Sequence, residues 1–119
     1  MRLYHNPLCS KSRGALELLQ AHGHAPEIVA YLEHPPSPGE LQELLRLLQL
    51  PARALLRTGE DAYHALGLDD ASLTEDALLD AMSRHPQLIE RPILVYGNRA
   101  IIGRPPENLL EFLRELAPR

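Results

Sequence analysis

The chain has 119 residues, of which 45% are hydrophobic and 24% charged, and its formal net charge at pH 7 is −4. This length suits one domain with a buried core. The negative charge argues against nucleic acid as the main partner, because phosphate backbones are bound by basic surfaces. We expect no membrane partner either, since no segment approaches the roughly 20 apolar residues of a membrane span. The single cysteine, Cys9, cannot form an internal disulfide, so we expect a free thiol and a cytoplasmic location.

The first 32 residues predict a strand, a helix and a second strand. Arg2 to His5 resembles a short strand, and Asn6-Pro7 is a turn signal. Apolar residues then recur at helical spacing after Cys9, up to the helix-ending Gly23. Glu27 to Leu32 is rich in the residue types that favour strands. So short a connection implies a right-handed parallel β-α-β unit.

The middle of the chain is predicted to be helical. Ser37 can cap a helix whose first position is Pro38, with Glu40 completing a capping box and Leu41, Leu44, Leu45 and Leu48 on one face. Short helical segments follow, and Thr74 caps another helix. We place this helical insert at about residues 37–89.

The last third predicts two strands and a helix. Ile93 to Tyr96 and Ala100 to Ile102 are joined by Gly97-Asn98, a tight hairpin signal, and an amphipathic helix follows Pro105-Pro106. The order is therefore β-α-β, a helical insert, then β-β-α. This predicts an α/β fold with a thioredoxin-like, mixed four-stranded sheet, forming a single domain over residues 1–119.

Cys9 is the leading candidate for chemistry. A helix N-terminus favours an anion, which can be a thiolate or a bound oxyanion, and Lys11 and Arg13 add positive charge. The alternative is a small buried residue with no chemical role. Ser12 occupies the place where a dithiol motif has its second cysteine, which disfavours an autonomous dithiol oxidoreductase.

His5 lies at the end of the first strand, four residues before Cys9. It can supply charge or a hydrogen bond next to the thiolate, or it can be a buried histidine with its hydrogen bonds satisfied. The other five histidines are scattered, and we predict neither a metal site nor a bound cofactor.

Three arginines are candidates for binding an oxyanion. In a thioredoxin-like domain the proline before the third strand, here Pro92, faces the cysteine, so Arg91 would project toward Cys9. Arg104 follows the hairpin, and Arg57 belongs to the insert. Each alone is more often a surface residue, but together they would form a clamp, because guanidinium groups match oxyanions bidentately.

Together these motifs resemble the glutaredoxin-coupled arsenate reductase family. The resemblance spans nearly the whole chain in order. It rests on "YHNPLCSKSR" (residues 4–13), "YLEHPPS" (31–37), "RALLR" (53–57), "ERPILV" (90–95) and "GRPPE" (103–107).

The resemblance implies a thioredoxin-like fold with Cys9 as nucleophile and His5 near it. It also implies that Arg57, Arg91 and Arg104 bind arsenate. The implied reaction reduces arsenate to arsenite, with glutathione as co-substrate and glutaredoxin as protein partner.

Two alternatives stay open. A Spx-like regulator shares this fold and binds RNA polymerase, although Ser12 lacks the second thiol of the redox-sensing regulators. A glutathione-dependent thiol oxidoreductase without arsenic chemistry is the other. Since nothing in the sequence demands a dimer, we expect a monomer.

Overall fold

The structure, a computed structural model, describes residues 1–116. The chain divides into two units. The first comprises Met1–Ala30 and the chain from Arg91 onward, and the second is Tyr31–Glu90. The predicted helical insert at residues 37–89 falls inside the second unit, and the single domain over residues 1–119 stays a prediction.

The first unit contains a four-stranded sheet in the order β2-β1-β3-β4. The strands are β1 (Arg2–Tyr4), β2 (Glu27–Val29), β3 (Ile93–Tyr96) and β4 (Arg99–Ile102). The β1 and β2 strands are parallel, whereas β3 is antiparallel to both β1 and β4. The predicted mixed thioredoxin-like sheet is thus confirmed.

Both N-terminal strands are shorter than predicted. The β1 strand ends at Tyr4 rather than His5, and β2 ends at Val29 rather than Leu32. The last pairing contact is the hydrogen bond from the His5 N–H to the Val29 carbonyl, 3.1 Å long. After this bond the turn at Asn6-Pro7 carries the chain away from the sheet. The β1 strand therefore has no further residues with which β2 could pair.

Helices α1 (Ser10–Ala21) and α5 (Glu107–Leu116) supply the core of the first unit. Gly23, with φ +82°, follows α1 in a conformation that favours glycine, as its predicted helix-ending role requires. The buried core cluster joins apolar residues of β1, β3 and the two helices: Leu3, Ala15, Leu19, Leu94, Leu109, Phe112 and Leu113.

The second unit is helical. It contains α2 (Pro38–Leu48), α3 (Asp61–Ala65), α4 (Glu75–Arg84) and two 3-10 turns, Ala52–Leu55 and Pro86–Leu88. The predicted helix caps at Ser37 and Thr74 are confirmed, since their side chains accept hydrogen bonds from backbone N–H groups in the first turns of α2 and α4. The predicted buried face of α2 is confirmed at Leu41, Leu44 and Leu45. At its last position Leu47 is buried and Leu48 only half-buried. No helix within residues 1–116 is long and apolar enough to cross a membrane.

Candidate active site

Cys9 is the N-cap residue of α1, as the sequence predicts. Its backbone is extended (φ −97°, ψ 122°), and its side chain makes no capping hydrogen bond to the first turn of the helix. The thiol is free and partly exposed. The side chain therefore lies at the positive end of the helix dipole, without using the N–H groups there that favour an anion.

Asn6 shapes the loop that carries Cys9. Its side-chain Oδ1 accepts a hydrogen bond from the Leu8 N–H (3.0 Å), and its carbonyl accepts one from the Cys9 N–H (3.1 Å). The sequence predicted a turn at Asn6 but not this function for its side chain. The signal in the sequence is an asparagine at the start of a turn, because such a side chain often accepts the backbone N–H two residues later. The Leu8 side chain, 85% exposed, projects from this loop.

His5 and Ser12 form a buried polar pair beside the loop. The distance from His5 Nδ1 to Ser12 Oγ is 2.7 Å, and the Asn6 N–H donates to the same Oγ at 3.0 Å. Burial lowers the pKa of His5 below 6.5, and the positive charge of Arg13 lowers it further. A neutral imidazole bonded to Ser12 is therefore what the geometry supports, rather than a histidine that supplies charge near neutral pH.

Arg104 brings positive charge directly to the thiol. Its Nη2 lies 3.8 Å from Cys9 Sγ, and its Nε donates to the Arg91 carbonyl at 2.7 Å. Asn108, in the first turn of α5, donates from Nδ2 to the Arg104 carbonyl at 3.1 Å. Sequence reasoning missed Asn108, which ties the Arg104 backbone to α5.

Arg91 and Pro92 directly precede β3. The Arg91–Pro92 peptide bond is cis, as is Arg104–Pro105. Pro92 is buried, and its carbonyl accepts the Gly103 N–H at 2.8 Å. The half-buried Arg91 is thus joined to Arg104 through its backbone carbonyl.

Arg13 also contributes to the loop. Its side chain is exposed, and its Nη1 donates to the Pro7 carbonyl at 2.9 Å. The Arg13 N–H donates to the Cys9 carbonyl at 2.9 Å. Ser12 and Arg13 therefore both hydrogen-bond to the segment that carries the thiol.

Arg57 lies in the second unit. Its guanidinium forms an ion pair with Glu60 and a longer one, 3.6 Å, with Glu90. Its predicted contact with arsenate stays a prediction. Within residues 1–116, no three His, Cys, Asp or Glu side chains come together in a way that could hold a metal ion.

Comparison with known proteins places this arrangement in a family. The model of the ArsC family matches residues 4–112. An arsenate reductase of Neisseria meningitidis is 47% identical over 92% of this chain and 94% of its own. YfgD, an uncharacterized protein of Escherichia coli, is 50% identical over 95% of this chain and 96% of its own. The solved structure of an arsenate reductase from Vibrio cholerae is 50% identical and superimposes with a TM-score of 0.90, covering 93% of this chain and 97% of that one. The chain therefore belongs to the ArsC family.

Proposed function

We propose that this protein is an arsenate reductase with Cys9 as its nucleophile. The observation that carries the proposal is the partly exposed Cys9 thiol at the N-terminus of α1, with Arg104 Nη2 3.8 Å from the sulfur. A guanidinium and a helix N-terminus favour both a thiolate and a bound oxyanion. The arsenate reductases among the relatives support the choice of oxyanion.

The first chemical step forms a bond between sulfur and arsenic. The Cys9 thiolate attacks arsenic(V), and one arsenate oxygen leaves as water after protonation. The arsenic keeps its oxidation state in this step. We propose that Arg104 stabilises the negative charge on the arsenate oxygens during the attack, which is where fixed positive groups lower a barrier most. Its Nη2 lies 3.8 Å from the attacking sulfur, which supports this role.

The reduction then needs electrons from outside the chain. Cys9 is its only cysteine, and the Ser12 hydroxyl cannot resolve an arsenic-bound sulfur as a second thiol would. Glutathione, as co-substrate, attacks the arsenic of the Cys9 adduct, and an arsenic oxygen leaves as water. A glutaredoxin thiolate then attacks the glutathione sulfur, and the bond between that sulfur and arsenic breaks with its electron pair left on arsenic. Glutathione and glutaredoxin thus end as one mixed disulfide, arsenic(V) becomes arsenic(III), and water displaces Cys9 from arsenic to release arsenite.

The remaining site residues support these steps. Arg91 is joined to Arg104 through its carbonyl and is proposed to bind arsenate beside it. Arg57 is proposed as a third ligand to the oxyanion. Glu60 and Glu90 pair with the Arg57 guanidinium. When arsenate binds, it would either displace these carboxylates or share the guanidinium with them. We propose that the protein acts as a cytoplasmic monomer.

A coupled assay tests the function. Arsenate-dependent oxidation of NADPH is measured with glutathione, glutathione reductase and glutaredoxin. We expect turnover with the wild-type protein and none with Cys9→Ser. Absence of arsenate-dependent turnover in the wild type would contradict the proposal, and co-purification with RNA polymerase in that case would favour the Spx-like regulator.

A further inference from the structure

The side chain of Ser12, in α1, hydrogen-bonds to His5 after β1 and to Asn6 in the loop. Ser12 is fully buried in the first turn of α1. Within residues 1–116, its Oγ has two hydrogen-bond partners, His5 Nδ1 at 2.7 Å and the Asn6 N–H at 3.0 Å. The end of β1, the loop and the helix therefore meet at one hydroxyl group.

The donors and acceptors available at this site determine which atom donates in each hydrogen bond of Ser12. A serine hydroxyl has one proton to donate and lone pairs that accept. The backbone N–H of Asn6 can only donate, so it uses a lone pair of Oγ. The remaining partner, His5 Nδ1, is then the acceptor for the hydroxyl proton. A proton on Nδ1 would leave the buried hydroxyl proton without an acceptor, which is unfavourable.

We propose that Ser12 donates to Nδ1 and fixes His5 as a neutral imidazole protonated at Nε2, and that this pair positions the Cys9 loop. The pair acts through geometry and not as a cation next to the thiolate. The lowered pKa of His5, caused by burial and by Arg13, agrees with a neutral ring. The positioning part rests on the proposed role of Cys9 as nucleophile.

A continuous set of hydrogen bonds links the pair to the thiol. His5, the residue after β1, is held at the end of the sheet because its N–H donates to the Val29 carbonyl. Ser12 holds the Asn6 N–H, and the Asn6 carbonyl in turn accepts the Cys9 N–H. Loss of the Ser12 hydroxyl would remove one hydrogen bond from His5 and one from Asn6. Ser12 and His5 are thus positioning residues, two and three hydrogen bonds away from the backbone of Cys9.

The tautomer can be measured directly in the wild-type protein. Long-range ¹H–¹⁵N correlation of the histidine rings at pH 7.5 distinguishes a protonated nitrogen from an unprotonated one. We expect the His5 signals to show an unprotonated Nδ1 and a protonated Nε2. A protonated Nδ1, in either the other tautomer or the imidazolium, overturns the assignment. This readout needs no arsenate, so it is independent of the proposed reaction.

Two substitutions at His5 test the positioning role. Asparagine can place an acceptor oxygen near the position of Nδ1 without a titrating group, whereas leucine cannot. The rate of Cys9 alkylation by iodoacetamide and the kcat/KM for arsenate are measured for both, and for Ser12→Ala. We expect His5→Asn to stay near the wild-type values, and His5→Leu and Ser12→Ala to lose about fivefold or more, as for a lost hydrogen bond.

Equal losses in His5→Asn and His5→Leu would show that the ring or its charge is what matters, and would overturn the positioning role. Unchanged alkylation and kcat/KM in Ser12→Ala would overturn it as well. If only the kcat/KM measurement fails, because arsenate is not turned over at all, the alkylation rates still decide between these outcomes. If His5→Leu and Ser12→Ala do not fold, two measurements still decide. They are the alkylation rate of His5→Asn relative to the wild type and the ¹H–¹⁵N signals of the His5 ring.

Discussion

The guanidinium of Arg104 lies 3.8 Å from the sulfur of Cys9, although 95 residues separate the two along the chain. Two further hydrogen bonds hold Arg104 in place, one from its Nε to the Arg91 carbonyl and one from Asn108 to its own carbonyl. The charge beside the thiol is therefore fixed by the fold before any substrate arrives. Such preorganised charge is what an anionic reaction centre needs.

Replacing Arg104 by lysine should reduce activity although the charge is kept. Lysine lacks the planar fork that reaches Cys9 and Arg91 at the same time, so we expect a loss of about 1–3 kcal/mol, or about fivefold to 150-fold in kcat/KM for arsenate. Arg99→Lys is the matched control, because Arg99 is exposed on the neighbouring β4 strand. Equal activities of the two variants would contradict a role for Arg104.

The source of electrons gives a second prediction. With arsenate and only thioredoxin plus thioredoxin reductase, the wild-type protein should stop after at most one turnover, since no second cysteine can release the Cys9 adduct. Adding glutathione and glutaredoxin should restore NADPH oxidation. Continued turnover with thioredoxin alone would show that glutathione is not required.

The lowered pKa of His5 predicts a pH dependence of stability. Between the lower pKa of the folded state and 6.5, the unfolded chain binds more protons at this residue, so His5 reduces stability as the pH falls below about 6.5. Urea unfolding of the wild type and of His5→Asn at pH 7.5 and 5.5 measures this contribution. We expect a smaller drop in unfolding free energy for His5→Asn, and an equal drop would contradict the prediction.

Gly103 should not tolerate a side chain. A Cβ at this position would lie 3.0 Å from two side-chain carbons of Leu109, which is in the core of the first unit. We expect Gly103→Ala to destabilise the protein by about 1–3 kcal/mol through overpacking, and to lower activity because Arg104 is the next residue.

Gly14→Ala is the matched control for this change. Its Cβ would meet no atom within 4 Å, and Gly14 lies inside helix α1. Alanine there should stabilise by about 0.5–1 kcal/mol. Thermal unfolding of both variants provides the comparison, and a stable Gly103→Ala would show that Leu109 can yield.

The helix cap at Ser37 provides a prediction about stability alone. The Ser37 side chain accepts the Glu40 N–H at 3.1 Å, and Ser37→Ala should cost about 1 kcal/mol. We expect kcat/KM for arsenate to stay unchanged in this variant. A loss of activity without a loss of stability would mean that the start of α2 takes part in the reaction.

Local signals in the sequence predicted most of the elements. The Cys9 N-cap, the caps at Ser37 and Thr74, and the hairpin at Gly97 each depend on residues close together in the chain. Strand ends were predicted less well, because pairing sets them. Glu27 to Leu32 contains good strand residues up to its end, yet β2 stops at Val29, where β1 has no more residues to pair with.

The contacts of the site were only partly predictable. The clamp predicted for the three arginines included Arg104, which the structure places beside Cys9. The bond between His5 and Ser12 was not predicted, because a side-chain contact between a strand end and a helix depends on rotamers that a spacing does not reveal. The ion pairs of Arg57 with Glu60 and Glu90 were missed for the same reason.

The two hydrogen bonds of Ser12 also bear on how this protein could be re-engineered. Ser12→Cys looks like the obvious single step toward a two-thiol enzyme. A thiol is a weaker donor and acceptor than a hydroxyl, so the substitution would weaken the hold on both His5 and Asn6. The new sulfur would also be enclosed, because position 12 is fully buried. Any design that moves the source of electrons inside the chain must therefore keep Ser12 and bring its second thiol from another, more accessible position.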